Sequence, residues 1–127
     1  MNSLSISKEQ FSDILNLSYG VFSPLKHFVG EKDFNNILLN KKFGKKFFPI
    51  PIFFGLNRKT FNKIKNDKFI KFYYKKKFIA VAEINSIYKI DKKLYGKKIF
   101  GKKFKRHTYY IKFSKENYAF LDFKYKK

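Results

Sequence analysis

"LSYGVFSPLKHF", Leu17 to Phe28, is the stretch on which the fold turns. Lysine is almost everywhere in this chain, yet none occurs between Lys8 and Lys26, the longest such gap in the sequence. Lysine is rarely buried, so the gap marks a segment that packs. Upstream, Ser7 followed by Gln10 forms a capping box that opens a helix. Phe11, Ile14 and Leu15 fall on one face of that helix and Leu17 at its edge. Gly20 stands where a helix stops. Pro24 has no amide to donate and biases Ser23 away from helical backbone. Residues 20–28 therefore read as a structural corner, with Phe22, Leu25 and Phe28 anchoring it in the core. Ser23 and His27 lie four apart in a loop with no third orienting group nearby in sequence, which does not make a triad.

Working outward, two further lysine-free stretches, 47–58 and 78–88, are the other expected core elements. A second helix is predicted from about Glu31 to Asn40, with Glu31 and Asp33 in its first turn and Phe34, Ile37 and Leu38 on its apolar face. In "FFPIPIFFG", Pro49 and Pro51 point to a strand entrance or sheet edge. Asn57 caps a short helix carrying Phe61 and Ile64. "FIKFYY" reads as a strand, Lys75 to Lys77 as a charged turn, and "FIAVAEINSIY" as the clearest strand, buried on both faces over Phe78 to Ala82. Asp91 caps a short helix to about Tyr95, followed by a basic loop around Gly101. "TYYIKF" and "YAFLDF" are expected to form a closing strand pair. The order is N-terminal helices followed by a mixed, curved β-sheet or pseudo-barrel with short helical insertions. This is an α+β class, with residues 1–127 as one domain.

Composition narrows the chemistry. Hydrophobic residues make up 44% and aromatics 21% of 127 residues, enough for a real core. There is no cysteine, which excludes disulfides and thiolate sites. Two histidines, His27 and His107, make a zinc site improbable, and no metal or cofactor is expected. No phosphate-binding glycine loop or nucleophile elbow is present. The early Glu9 and Asp13 and the lack of a long apolar run argue against a signal peptide or membrane span, so a cytoplasmic location with no membrane partner is expected.

The net charge is +21. Such a charge suggests a polyanion partner: RNA, DNA or an anionic membrane face. Nearly all of it is lysine, with Arg58 and Arg106 the only arginines. Lys, Asn, Ile, Phe and Tyr share A/T-rich codons, so base composition alone also accounts for it. The best patch candidate is the glycine-broken run Lys97, Lys98, Lys102, Lys103, Lys105 and Arg106, where cations interleave with aromatics as on single-strand-binding surfaces.

Four segments, in order and at compatible spacing, resemble the N-terminal region of ATP sulfurylase (sulfate adenylyltransferase). Gly20, Phe22, Ser23, Pro24, Leu25 and Phe28 match its "G-x-[FY]-S-P-L-x-G-F" loop, with His27 where the family has glycine. Pro49, Ile50, Pro51 and Ile52 resemble its "P-I-P-I" strand. Ile79, Ala80, Ile84, Ile87, Tyr88, Asp91 and Lys92 are similar to the segment that ends in its "D-K". "IFG", ending at Gly101, with His107 six residues on, resembles "V-F-G-T-x-D-x-x-H-P", though Thr108 replaces the proline and a basic run replaces an acidic turn. The resemblance implies a PUA-like fold, with "YAFLDFKYK" as its closing strand. It also implies that the family's ATP- and sulfate-handling signature, Q-x-R-N-P, lies outside this sequence, where Gln10 is the only glutamine. No catalytic residue is therefore assigned. The expectation is an accessory module, inactive alone, whose partner is a sulfate adenylyltransferase catalytic domain or another protein; a free-standing RNA-binding module is the alternative.

Overall fold

The computed structural model describes residues 1–125. Strand β1 (Asn2–Ser5) precedes helix α1 (Lys8–Ser18). The capping box is formed as expected: Gln10 N–H donates to Ser7 Oγ at 3.1 Å, and Ser7 N–H donates to Gln10 Oε1 at 2.9 Å. After the corner at residues 20–28, helix α2 spans Glu31–Asn40 and buries Phe34, Ile37 and Leu38. A two-stranded hairpin, β2 (Lys42–Phe43) and β3 (Lys46–Phe47), leads to β4 (Gly55–Leu56) and α3 (Arg58–Ile64), capped by Asn57. Then come β5 (Phe69–Tyr74), β6 (Lys77–Tyr88), α4 (Lys92–Phe100), a 3₁₀ turn (Phe104–Arg106), α5 (Thr108–Glu116) and β7 (Ala119–Tyr125).

The main sheet has the order β1-β5-β6-β7-β4. β1 runs parallel to β5; the other pairs are antiparallel. Register shifts at Phe72/Tyr73 and Ile84/Ser86 curl the sheet into a half-barrel, as bulges do. Its concave side closes on an aromatic core. Phe34, Phe54, Phe72, Phe120 and Phe123 are all essentially inaccessible, and most neighbouring rings meet edge-on or tilted at 5–6 Å. The mixed, curved sheet with helical insertions is the α+β arrangement anticipated.

Several local expectations are corrected. "TYYIKF" is not a strand but most of α5: tertiary packing of Tyr110 and Phe113, three apart on one face, overrides the β propensity of its residues. β7 therefore pairs with β6 and β4 instead. "FFPIPIFFG" forms no ladder over 49–54, because its prolines lack donors; pairing resumes only at Gly55. In that stretch Phe47 and Ile50 are exposed. β6 is not buried on both faces, since Phe78 is 55% exposed and the half-barrel covers one side only. Leu15 faces outward while Leu17 is buried, a rotation of the helix face by about one residue. α4 runs to Phe100 rather than Tyr95, taking Lys97 and Lys98 into helix. β1 and the β2–β3 hairpin were not anticipated. In the expected closing stretch, Lys126 lies outside the described residues.

The β5–β6 turn is made by Lys75 (φ 48°) and Lys76 (φ 68°). Two residues with positive φ match a two-residue hairpin turn that favours Asn-Gly. Lysine in left-handed backbone costs about 1 kcal/mol or more per residue. Lys75→Asn with Lys76→Gly is therefore expected to stabilise the domain by about 1 kcal/mol, read as a higher urea midpoint at unchanged slope.

Candidate functional site

The corner at 20–28 is built as architecture. Gly20 takes φ 76°, Ser23 N–H donates to the Gly20 carbonyl and Leu25 N–H to the Phe22 carbonyl. Leu25 and Phe28 are buried, Phe22 is half-buried, and the Ser23–Pro24 peptide is cis. Ser23 and His27 are both exposed and have no hydrogen bond between them. The phenol of buried Tyr88 on β6 donates to the Val29 carbonyl at 2.7 Å, tying the corner to the sheet. Burial, then Asp122, hold that phenol protonated well above the usual tyrosine range. Tyr88→Phe leaves the Val29 carbonyl without its donor, and is expected to cost about 1–3 kcal/mol in chemical denaturation.

The other motif residues are also structural. Pro51 is fully buried and Pro49 exposed. Asp91 Oδ1 accepts from Leu94 N–H at 3.1 Å and caps α4. Gly101 ends α4 at φ 86°. His107 caps α5 through Nδ1, which accepts from Tyr109 N–H at 3.2 Å, and its ring lies 4.4 Å from that of Phe100. No group of three metal-ligating side chains occurs among the described residues.

The basic run is brought together on one surface. Lys97 and Lys98 lie in the last turn of α4, Lys102 and Lys103 follow Gly101, and Lys105 and Arg106 sit on the 3₁₀ turn. All six are exposed. Between Asp91 and Glu116 the sequence holds ten Lys or Arg and no carboxylate. Among the described residues the one ion pair is Lys124–Glu83, at 3.5 Å, so this face is uncompensated. Gly96 lets the face form: a Cβ there would collide with the rings of Phe104 and Tyr110, which lock the 3₁₀ turn and α5 onto α4.

Two cavities among the described residues together collect six of the nine carboxylates of the chain. The smaller, of about 650 Å³, lies beside the corner and includes Glu31, Asp33 and Asp122. The larger, of about 790 Å³, includes Glu9, Asp13 and Glu116, with Lys112 its only cation. Glu9 and Asp13 lie one turn apart on α1. Burial, then the Glu9 charge, raise the Asp13 carboxyl above the ordinary range. The native state thus holds that proton more tightly than the unfolded chain. Its contribution to stability is present below the unfolded pKa and lost as pH rises through the raised native one. Asp13→Asn is expected to raise the melting temperature at pH 7, with the gain vanishing below about pH 4. This cavity was missed in the sequence reading, although the lysine-free stretch that holds Glu9 and Asp13 was its visible signal.

A curled, mixed half-barrel sheet with helical insertions, whose matched motif residues turn, cap and pack the chain, defines a PUA-like class of domain. The model of the PUA-like domain family matches residues 1–121, and the chain belongs to that family. It is similar to the sulfate adenylyltransferases of Staphylothermus marinus (27% identical over 99 residues, 77% of this chain and 26% of that protein) and Thermococcus onnurineus (30% over 99 residues, 77% and 25%). The sulfate adenylyltransferase of Schizosaccharomyces pombe is 29% identical over 106 residues, 80% of this chain and 22% of that protein. The chain thus spans about a quarter of the length of the curated relatives it matches. No helix among the described residues is long and apolar enough to cross a membrane.

Proposed function

We propose that this domain serves sulfate activation, the conversion of ATP and sulfate to adenylyl sulfate, as a non-catalytic structural module that works beside a catalytic domain. The observation that carries the reading is the role of the matched motif residues. Gly20, Leu25, Phe28, Pro51, Asp91, Gly101 and His107 all turn, cap or pack the fold. Motif residues that shape the fold in this way suit a module that holds a partner. The test is to recover the tagged chain from the cells that make it and assay what comes with it. ATP- and sulfate-dependent pyrophosphate release should co-purify; its absence would refute the docking role.

A second reading, binding of RNA, is favoured by one specific observation, the uncompensated face from Lys97 to Arg106. Its exposed Lys and Arg suit phosphate contact, with Tyr109 exposed beside them for stacking. A salt titration against structured RNAs tests it. A preference among RNAs that persists near physiological salt supports it, and a uniform loss of affinity leaves only non-specific attraction.

A further inference from the structure

The larger cavity sits at the seam of the half-barrel, where the two outermost strands of the main sheet, β1 and β4, border one space. Each has a strand neighbour on one side only, and on the outer edge of β1 Lys63 Nζ donates to the Ser3 carbonyl at 2.7 Å, which leaves the Ser5 end open. Ile6 N–H donates to the Tyr73 carbonyl at 2.9 Å, so the amide and carbonyl of Ser5, one residue back on the pleat, face away from β5 on the edge that borders the cavity. On the opposite wall, the Phe54 and Leu56 carbonyls accept from Leu121 and Tyr118 N–H. The intervening Gly55 carbonyl instead accepts from Gln10 Nε2 at 2.9 Å, a side-chain link across the seam. Phe53, next along that wall, has no backbone hydrogen bond among the described residues. Pro51 beside it cannot donate, so this wall offers apolar contact, from Ile50 and Ile52, more than a ladder. An open sheet edge beside an apolar wall accepts an extended peptide as an added strand.

Charge selects among such peptides. Glu9, Asp13 and Glu116 border the cavity on a chain of net charge +21, and none has an ion-pair partner among the described residues. Glu9 and Asp13 repel each other across one helical turn. A cationic side chain placed between them relieves that repulsion, whereas an anionic occupant would add to it.

We propose that this seam binds an extended segment of a partner polypeptide that alternates Lys or Arg with aliphatic residues, laid against the open Ser5 end of β1. The apolar side chains would meet Ile50 and Ile52, and the cations Glu9, Asp13 and Glu116. This goes beyond the scaffold role proposed above and does not require it.

The test uses the full chain, isotope-labelled, and a short capped peptide alternating lysine with valine. The expected result is amide shift changes concentrated at Ser5, Phe53 and Gly55, with no binding by the glutamate–valine counterpart. Glu9→Gln with Asp13→Asn and Glu116→Gln should weaken binding about tenfold or more, at roughly two- to fivefold per lost charge. Glu116→Gln alone, at an exposed helix end, is the milder variant and should weaken it by one such step. Equal affinity in these variants would overturn the proposal. So would shifts confined to the Lys97–Arg106 face, no binding at millimolar peptide, or peptide-free self-association that moves the same amides, which would assign the seam to a second copy. If the peptide fails while sulfate-dependent activity still co-purifies with the chain, this proposal falls and the scaffold reading stands.

Discussion

Replacing Phe34 with alanine is expected to cost about 3–5 kcal/mol, enough to leave the domain largely unfolded near physiological temperature. Phe34 is completely inaccessible and stands where α2 meets the sheet. Its ring lies 5.7–6.2 Å from those of Phe53, Tyr88, Tyr95 and Phe120, which come from the proline segment, β6, α4 and β7. Truncation removes the transfer free energy of a full aromatic side chain. It also opens a void that four rings from different elements cannot collapse into without losing their mutual contacts. Urea denaturation of the two proteins measures the difference directly. A cost below about 1 kcal/mol would mean that the aromatic cluster is not the core that holds helices to sheet.

Neutralising the basic face should have the largest effect on binding. Lys102, Lys103 and Lys105 changed to Gln together with Arg106→Gln remove four exposed cations that make no ion pair, so the fold should tolerate the change. If those residues contact phosphates, the slope of log affinity against log salt should fall in magnitude by roughly 3 for single-stranded RNA, and affinity near 50 mM salt by about 10²–10³-fold. The same four substitutions should leave the melting temperature within a few degrees. An unchanged slope would show that the charge is spread over the whole chain and that this face is not a site.

Much of the fold was legible because its signals are local. The capping box at Ser7 and Gln10, the cap at Asn57 and the acidic first turn of α2 each fix an element boundary through nearest neighbours, and α2 and β5 lie where expected. Several misreadings were decided by distant partners. Thr108 to Phe113 has strand-like residues but becomes helix because Tyr110 and Phe113 pack against Phe104 and Tyr95. Phe78 lies exposed because the half-barrel encloses one face only, which no property of the β6 sequence reveals. β1 was invisible because four residues pair in parallel with a strand some 68 positions away. The basic face was visible as a run of cations, whereas its rigidity depends on Gly96, whose missing side chain admits Phe104 and Tyr110. The seam cavity needs both sheet edges, and only the fold brings those together.

The most direct test of the non-catalytic scaffold role is pyrophosphate release by the purified chain supplied with ATP and magnesium, with and without sulfate. The account predicts no sulfate-dependent release above the protein-free control. Sulfate-dependent release by the chain alone, abolished by no contaminant-removing step, would contradict it and place a catalytic centre within these 127 residues.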